Sequence, residues 1–195
     1  MSSADLFRAG RRQRVVIVPG LHGSGPGHWQ SWMESELPGA VRVPQADWDD
    51  PSLAPRAQAI ADVLDSDPDA DWIAVAHSLG CLAVAHCVQR CGLRRGRLRG
   101  ALLVAPASPT RFNTRLADSP RLPFLAQTVA SRNDPWLPLE EAFELSQRWG
   151  SRLIDAGPVG HLNTEAGFGP WPYGLALLRR MQRELNAADC AYLDD

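Results

Sequence analysis

The 195-residue sequence has few cysteines, no long apolar run and little net charge, and each absence excludes a class of protein. Its four cysteines include no C-x-x-C pair, so neither a disulfide framework nor a zinc site is expected. No apolar run approaches the roughly 20 residues that span a bilayer, and the N-terminal stretch lacks the apolar core of a signal peptide. We therefore expect a cytoplasmic protein with no membrane partner.

The formal net charge of -2 gives no electrostatic reason to expect a nucleic-acid partner. Arg94, Arg95, Arg97 and Arg99 cluster between an apolar helix and an apolar strand, which favours a solvated loop over a basic binding surface. At this length we expect one domain with a large buried core. Residues 1–13 and 187–195 are predicted to be flexible tails.

Short apolar runs bounded by turn residues alternate along the chain with longer helix-like stretches. Continuous apolar strands that alternate with helices form parallel sheets covered on both faces. The pattern therefore predicts a three-layer α/β/α sandwich with a mostly parallel sheet of about six strands. The predicted strands are residues 15–18, 41–44, 72–76, 100–105, 125–130 and 152–156, and the predicted helices are residues 29–36, 53–64, 79–91, 139–149 and 173–185.

The segment Ala76-His77-Ser78-Leu79-Gly80 lies between the third predicted strand and the next helix. It is a variant of the G-x-S-x-G nucleophile elbow, in which small residues two positions before and after the serine permit a sharp turn. Ala76 is small enough to replace the usual glycine. The segment predicts Ser78 as a nucleophile, and the alternative is a helix N-terminus that happens to contain a serine.

A serine nucleophile needs a base within hydrogen-bond reach and a third group that holds this base in the correct tautomer. Asp134 follows the fifth predicted strand and His161 the sixth, in the chain order that is typical of α/β-hydrolases. We predict His161 as the base and Asp134 as the acid that orients it. Two alternatives stay open: Asp134 caps the helix that begins near Pro138, or an acid after the second strand (Asp47, Asp49 or Asp50) takes its place.

Acyl transfer through a serine also needs two donors for the oxyanion of the tetrahedral intermediate. The N–H of Leu79 is one candidate, because it follows the nucleophile at a helix N-terminus. The N–H of Leu21 is the other, because it lies in a glycine-rich loop after the first strand. This loop lacks both the G-x-x-x-x-G-K-[ST] and the G-x-G-x-x-G patterns, so no nucleotide site is expected.

The substrate pocket is predicted from the loops that follow the strands. Residues 107–123 form the longest irregular stretch and are expected to make a rim over the site. His22, Trp136 and Phe168 are candidate lining residues, and Leu21 and Trp171 are further apolar candidates, although aromatic residues at these positions are as often part of a core. We expect a small-molecule substrate with a small or medium acyl group.

Four stretches resemble the small serine hydrolases of the retinoblastoma-binding-protein-nine and bacterial YdeN-like type. The resemblance implies an α/β-hydrolase fold without a large cap domain, a triad of Ser78, Asp134 and His161, and no metal or organic cofactor. It also implies esterase or amide-cleaving activity on small acyl substrates, and it identifies no protein partner. The stretches are Val18-Pro19-Gly20 with Ser24 and His28-Trp29-Gln30; His77-Ser78-Leu79-Gly80; Ser131-Arg132-Asn133-Asp134-Pro135; and Gly160-His161-Leu162-Asn163 with Gly167, Gly169, Trp171 and Pro172.

Three functions are compatible with these residues. The first is a carboxylesterase-like serine hydrolase that forms an acyl-enzyme on Ser78. The second is a non-catalytic binding module on the same fold, since a fold alone does not fix function. The third is an acyltransferase, because it shares the first half-reaction. The full set of candidate triad residues favours the hydrolase, whereas the acyl-chain preference and the oligomeric state are not predicted by the sequence.

Overall fold

The computed structural model describes residues 12–91, 98–115 and 118–191. Within these ranges the chain forms six β-strands and five α-helices, and a short 3-10 helix (Pro109–Phe112) follows the fourth strand. The strands are β1 (Gln13–Val18), β2 (Val41–Arg42), β3 (Asp71–His77), β4 (Leu98–Val104), β5 (Leu125–Ala130) and β6 (Arg152–Asp155), and the helices are α1 (Trp29–Glu36), α2 (Leu53–Asp65), α3 (Leu79–Cys91), α4 (Leu139–Trp149) and α5 (Pro172–Ala191).

The six strands form one sheet in the order β2-β1-β3-β4-β5-β6, and every neighbouring pair is parallel. The chain passes from β1 to β2 in one direction and then continues from β3 in the other, so the strand order reverses between β1 and β3. Carboxyl ends of strands at such a switch point open a crevice for ligands. The loops that carry Leu21 and Ser78 leave the sheet at this crevice.

Side chains of the central strands alternate between the two faces of the sheet. Val16 and Val18 of β1 belong to the apolar cluster under α2, α3 and α4. Val15 and Ile17 belong to the cluster under α1 and α5. Both faces are therefore covered by helices, which confirms the predicted three-layer sandwich; the described residues include no large cap domain.

The element boundaries differ from the sequence-based prediction mainly at an edge strand and at the last helix. Strand β2 is two residues long, because it pairs with β1 only through Val41 and Arg42. Helix α5 begins at Pro172, where proline is compatible with the first turn, and runs to Ala191. Residues 187–191 of the predicted tail are thus helical. Residues 1–11 and 192–195 of the predicted tails fall outside the described residues, and so do Arg94, Arg95 and Arg97 of the arginine cluster. Among the described helices, none combines the length and the apolar character that crossing a membrane requires.

Candidate active site

Ser78 lies at the junction between β3 and α3 with a backbone φ of 53°. This left-handed conformation strains a residue other than glycine, and such strain is typical of functional turns. The residues two positions before and after Ser78 are small for a steric reason. Ala76 is fully buried, and a Cβ on Gly80 would overlap the carbonyl oxygens of Val18 and Pro19. The backbone therefore has the sharp strand-to-helix turn of a nucleophile elbow.

A chain of hydrogen bonds joins Ser78, His161 and Asp134. Oγ of Ser78 lies 2.9 Å from Nε2 of His161. Nδ1 of the same ring lies 3.0 Å and 2.9 Å from the two carboxylate oxygens of Asp134. Because a carboxylate only accepts hydrogen bonds, Nδ1 carries the proton of the neutral ring, and Nε2 accepts from the Ser78 hydroxyl. The side chains of His161 and Asp134 are only 8% and 3% exposed, which shields this chain from water.

Asp134 is held by its own loop and does not cap a helix. Its Oδ1 accepts a hydrogen bond from the N–H of Trp136 at 2.9 Å. Helix α4 begins at Leu139 after Pro138, and no side chain caps its N-terminus. The alternative role of Asp134 as a helix cap is therefore wrong. Among the acids after β2, Asp49 instead lies 2.8 Å from Nδ1 of His22, with both side chains largely exposed.

The backbone around His161 is anchored by side chains from three other segments. Nε2 of His77 donates to the carbonyl oxygen of His161 at 3.0 Å. Nε1 of Trp29 donates to the carbonyl oxygen of the next residue at 2.8 Å. Oδ1 of Asn133 accepts from the N–H of Gly160 at 2.7 Å. Together these bonds fix the loop on both sides of the imidazole.

The backbone N–H groups of Leu21 and Leu79 make no hydrogen bond with the described part of the chain. Leu79 is the first residue of α3, where the helix dipole favours negative charge. The β1 loop lies directly against the elbow, because a Cβ on Gly20 would come within 2.9 Å of Cβ of Ser78. Each of these two adjacent loops therefore carries an amide without a partner in the described structure, and an oxyanion hole needs two such donors.

A cavity of about 450 Å³ opens beside Ser78 and His161. The predicted pocket residues His22 and Trp136 line it, and the predicted rim contributes residues of the 3-10 helix. The guanidinium of Arg111 lies 5.0 Å from the ring centroid of Trp136 and closes part of this wall. The remaining lining residues are Leu21, Gly23, Gly25, His28, His77, Ala107, Phe112, Asn163, Thr164 and Glu165.

Phe168 lies apart from the cavity, contrary to the expectation from the sequence. Its ring packs edge-to-face on Trp171 with the centroids 6.0 Å apart, and Trp171 packs on Trp29 at 5.1 Å. These rings belong to the apolar cluster between the sheet and helices α1 and α5. The alternative that the sequence left open, burial in the core, therefore describes Trp171, whereas Phe168 is half-buried and packs against the same cluster.

Two histidines of the cavity wall are held in the neutral form by their surroundings. Burial lowers the pKa of His28 to about 4, and the charges of Arg42 and His161 act in the same direction. Burial also holds the pKa of His77 well below its usual value, with further contributions from His161 and His28. His28 also caps helix α1, since its Nδ1 accepts from the N–H of Gln30.

The sequence model of the serine hydrolase family matches residues 15–180 of the chain. The chain belongs to the serine hydrolase family. Among proteins similar to this serine hydrolase, the hydrolase YdeN of Bacillus subtilis is 27% identical over 175 residues, which cover 82% of this chain and 91% of YdeN.

Solved structures agree with this family assignment. A YdeN-like hydrolase from Pectobacterium atrosepticum is 37% identical, with a TM-score of 0.83 over 93% of this chain and 97% of that chain. The ydeN gene product of B. subtilis superposes with a TM-score of 0.71 at 22% identity, over 88% of this chain and 99% of that chain. This serine hydrolase therefore has the α/β-hydrolase fold of the YdeN-like proteins.

Two polar residues that organise the site of this serine hydrolase were not predicted from the sequence. Nε2 of the buried Gln30 donates to the carbonyl oxygens of Val18 and Val75 at 3.2 Å and 3.0 Å, and so ties α1 to the ends of β1 and β3. Asn133 links the loop of Asp134 to the loop of His161. The sequence offered two indications of these roles: Gln30 lies in a predicted helix beside apolar residues, and Asn133 directly precedes the candidate acid Asp134.

Proposed function

We propose that this serine hydrolase cleaves small acyl esters through a triad of Ser78, His161 and Asp134. The observation that carries the proposal is the unbroken hydrogen-bond chain from Oγ of Ser78 through the imidazole to both oxygens of Asp134. A binding module would have no need of a strained serine, a buried base and two unpaired amide donors at one point. The same arrangement is sufficient for covalent catalysis without a metal or an organic cofactor.

In the acylation step, Oγ of Ser78 attacks the ester carbonyl carbon while Nε2 of His161 takes the hydroxyl proton. Asp134 stabilises the imidazolium that forms and keeps its Nδ1–H in place. The carbonyl oxygen becomes an oxyanion and accepts from the N–H groups of Leu21 and Leu79. The C–O bond to the leaving group then breaks, and His161 returns the proton to the departing alcohol.

In the deacylation step, a water molecule gives its proton to His161 and attacks the acyl-enzyme carbonyl. The second tetrahedral intermediate collapses to a free carboxylic acid, and Oγ of Ser78 regains its proton. An amide would follow the same path with an amine as the leaving group. An alcohol in place of water would give acyl transfer, so the nature of the acceptor separates the two reactions.

The cavity supports a substrate of modest size. Its volume of about 450 Å³ lies in the lower half of the range for small-molecule pockets. Leu21, Ala107, Phe112 and Trp136 supply an apolar wall on one side, which suits the acyl chain. We therefore expect ester hydrolysis to be fastest with small or medium acyl groups.

Labelling by a fluorophosphonate probe tests the nucleophile, because phosphonylation requires an activated serine. We expect the wild type to label, and the variants Ser78→Ala and His161→Ala to stay unlabelled. Ser35→Ala, at an exposed hydroxyl of α1, is a control that should label like the wild type. A folded wild type that does not label would overturn the proposal in favour of a binding module.

Product analysis then tests the reaction. With an ester and an added alcohol, we expect the free acid as the main product at all alcohol concentrations. Dominant formation of the new ester would assign an acyltransferase to the same triad. A panel of p-nitrophenyl esters of increasing chain length measures the acyl preference.

A further inference from the structure

We infer that His28 and His77 form a subsite in the cavity wall that binds a hydroxyl group of the substrate. The inference rests on the proposed function, because it describes how an acyl substrate is held in the same cavity. It depends on which ring nitrogen of each histidine carries the proton, and the hydrogen bonds of the protein settle this for both rings.

His28 presents a donor to the cavity. Its Nδ1 accepts a hydrogen bond from the N–H of Gln30 at 3.1 Å at the start of α1, so this nitrogen carries no proton. The proton of the neutral ring is therefore on Nε2. Within the described residues Nε2 makes no hydrogen bond, and it is absent from the polar atoms that are buried without a partner. Since His28 lines the cavity, the Nε2–H is available to a ligand there.

His77 presents an acceptor by the same reasoning. Its Nε2 lies 3.0 Å from the carbonyl oxygen of His161, which only accepts, so Nε2 carries the proton. Nδ1 is then a bare acceptor. It too lacks a hydrogen-bond partner among the described residues without being fully buried, and His77 also lines the cavity.

The rings of His28 and His77 are neighbours and lie close to the triad. The two rings meet edge-to-face with their centroids 4.9 Å apart and make no direct hydrogen bond in the described structure. A second contact of 4.9 Å joins the rings of His77 and His161. A single group that both accepts and donates would satisfy the two nitrogens, and a hydroxyl group has this property.

The electrostatics of the two rings favour a neutral ligand group. Burial keeps both imidazoles uncharged, since it lowers the pKa of His28 to about 4 and the pKa of His77 well below its usual value. A carboxylate would find one donor and no charged imidazole in this pair, and it would face the lone pair of Nδ1 of His77. The subsite therefore selects a hydroxyl group over an anion.

Two variants of His28 separate its contact with substrate from its contact with the helix. In His28→Asn the side-chain oxygen still caps α1, since asparagine is a favoured N-cap residue, but the ring donor is lost. In His28→Gln the side-chain amide reaches toward the position of Nε2 as a donor, while the cap is weakened. A purely structural role for His28 would make the glutamine variant the worse enzyme, whereas the subsite makes the asparagine variant the worse one.

The measurement compares p-nitrophenyl esters of 2-, 3- and 4-hydroxyacyl groups with esters in which a methyl group replaces the hydroxyl. For each pair, kcat/KM is determined for the wild type and both variants. The hydroxyl preference is kcat/KM of the hydroxy ester divided by that of the methyl ester, and comparing this preference between variant and wild type cancels the intrinsic reactivity of the esters. At one hydroxyl position we expect the preference to fall by about fivefold or more in His28→Asn and to be retained in His28→Gln. An unchanged preference at all three positions in His28→Asn would overturn the subsite.

Fluorophosphonate labelling keeps this test distinct from that of the triad, because the probe carries no hydroxyl group. Labelling of the wild type therefore tests the triad, whereas the changed hydroxyl preference of His28→Asn tests the subsite. A second arm needs no turnover: ¹⁵N NMR of the histidine rings in Ser78→Ala should show Nε2–H tautomers for both His28 and His77. Methyl 3-hydroxybutyrate should shift these signals more than methyl 3-methylbutyrate does. A charged ring or an Nδ1–H tautomer for His28 at neutral pH would refute the inference even if the wild type labels. If the hydroxy ester shifts the histidine signals but the wild type does not label, only the proposed function is refuted.

Discussion

His77 donates a hydrogen bond from Nε2 to the carbonyl oxygen of His161 over 3.0 Å, although 84 positions separate the two residues. The residue before the candidate nucleophile thus positions the loop of the candidate base. Because the donor is buried, removal of the ring leaves a carbonyl without its partner and frees the loop.

The first prediction concerns this bond. We expect His77→Leu to lower the rate of fluorophosphonate labelling by about tenfold or more, because the imidazole of His161 loses its fixed distance from Ser78. His77→Gln, which offers an amide donor to the same carbonyl, should recover most of the rate. Equal loss in the leucine and glutamine variants, with both folded by circular dichroism, would contradict a positioning role.

The second prediction concerns Asn133, which accepts from the N–H of Gly160 at 2.7 Å and from the hydroxyl of Ser131 at 2.9 Å. We expect Asn133→Ala to lower the free energy of unfolding by about 1 kcal/mol and the labelling rate by a few-fold, because two donors lose their acceptor. Asn133→Asp keeps an acceptor at the same place and should retain most of the stability. Urea unfolding measures the stability, and time courses of labelling measure the rate. An Asn133→Ala variant with unchanged stability and rate would show that the loop of His161 does not need the hydrogen bonds of Asn133.

Much of the fold follows from local features of the sequence. Helices α1, α3 and α4 begin and end where apolar spacing and flanking turn residues predict. The parallel sheet follows from apolar strands that alternate with helices, because each crossover must cover a face of the sheet. Strand β2 was predicted too long, since the extent of an edge strand depends on its neighbour and not on its own residues.

The candidate triad was also predictable, because the elbow and the order of the loops after β3, β5 and β6 are local patterns. Its supporting contacts were not, since they join residues far apart in the chain. Trp29 and Leu162 are bonded across 133 positions, and no periodicity records such a pair. The same limit explains Phe168, whose half-buried place against the core depends on the ring of Trp171, which in turn packs on Trp29.

The third prediction uses the close approach of the β1 loop to the elbow. A Cβ on Gly20 would lie 2.9 Å from Cβ of Ser78 and 3.2 Å from the carbonyl oxygen of His77, so Gly20→Ala must push the loop of Leu21 away. We expect the labelling rate to fall by at least about tenfold, because a displaced Leu21 amide no longer reaches the oxyanion.

Gly25→Ala is the matched control for this change. Gly25 lies in the same loop and also lines the cavity, but a Cβ there meets nothing within 4 Å. We expect its labelling rate and its thermal midpoint to stay close to those of the wild type. Equal rates for Gly20→Ala and Gly25→Ala would show that the β1 loop supplies no donor to the reaction.

The fourth prediction concerns stability in acid. In the folded protein the pKa of His28 is lowered from 6.5 to about 4, mainly by burial, and the pKa of His77 is lowered for the same reason. Between these pH values the unfolded chain binds protons that the folded chain does not, so protonation favours unfolding. The full contribution of the neutral rings is present above the unfolded value of 6.5, and it decreases as the pH falls toward about 4.

Urea unfolding at a series of pH values from neutral to mildly acidic measures this loss. We expect the free energy of unfolding of the wild type to fall steadily across the window, and the fall to be smaller in His28→Asn, which keeps the helix cap but removes one of the histidines with a lowered pKa. Ser35→Ala is the control, because Ser35 is exposed and carries no group that titrates in this window, so its replacement should leave the slope unchanged. If His28→Asn loses stability on acidification as steeply as the wild type, proton uptake at His28 does not drive the loss, and the acid sensitivity must be assigned to His77, to His86, whose pKa burial also lowers, or to carboxylates.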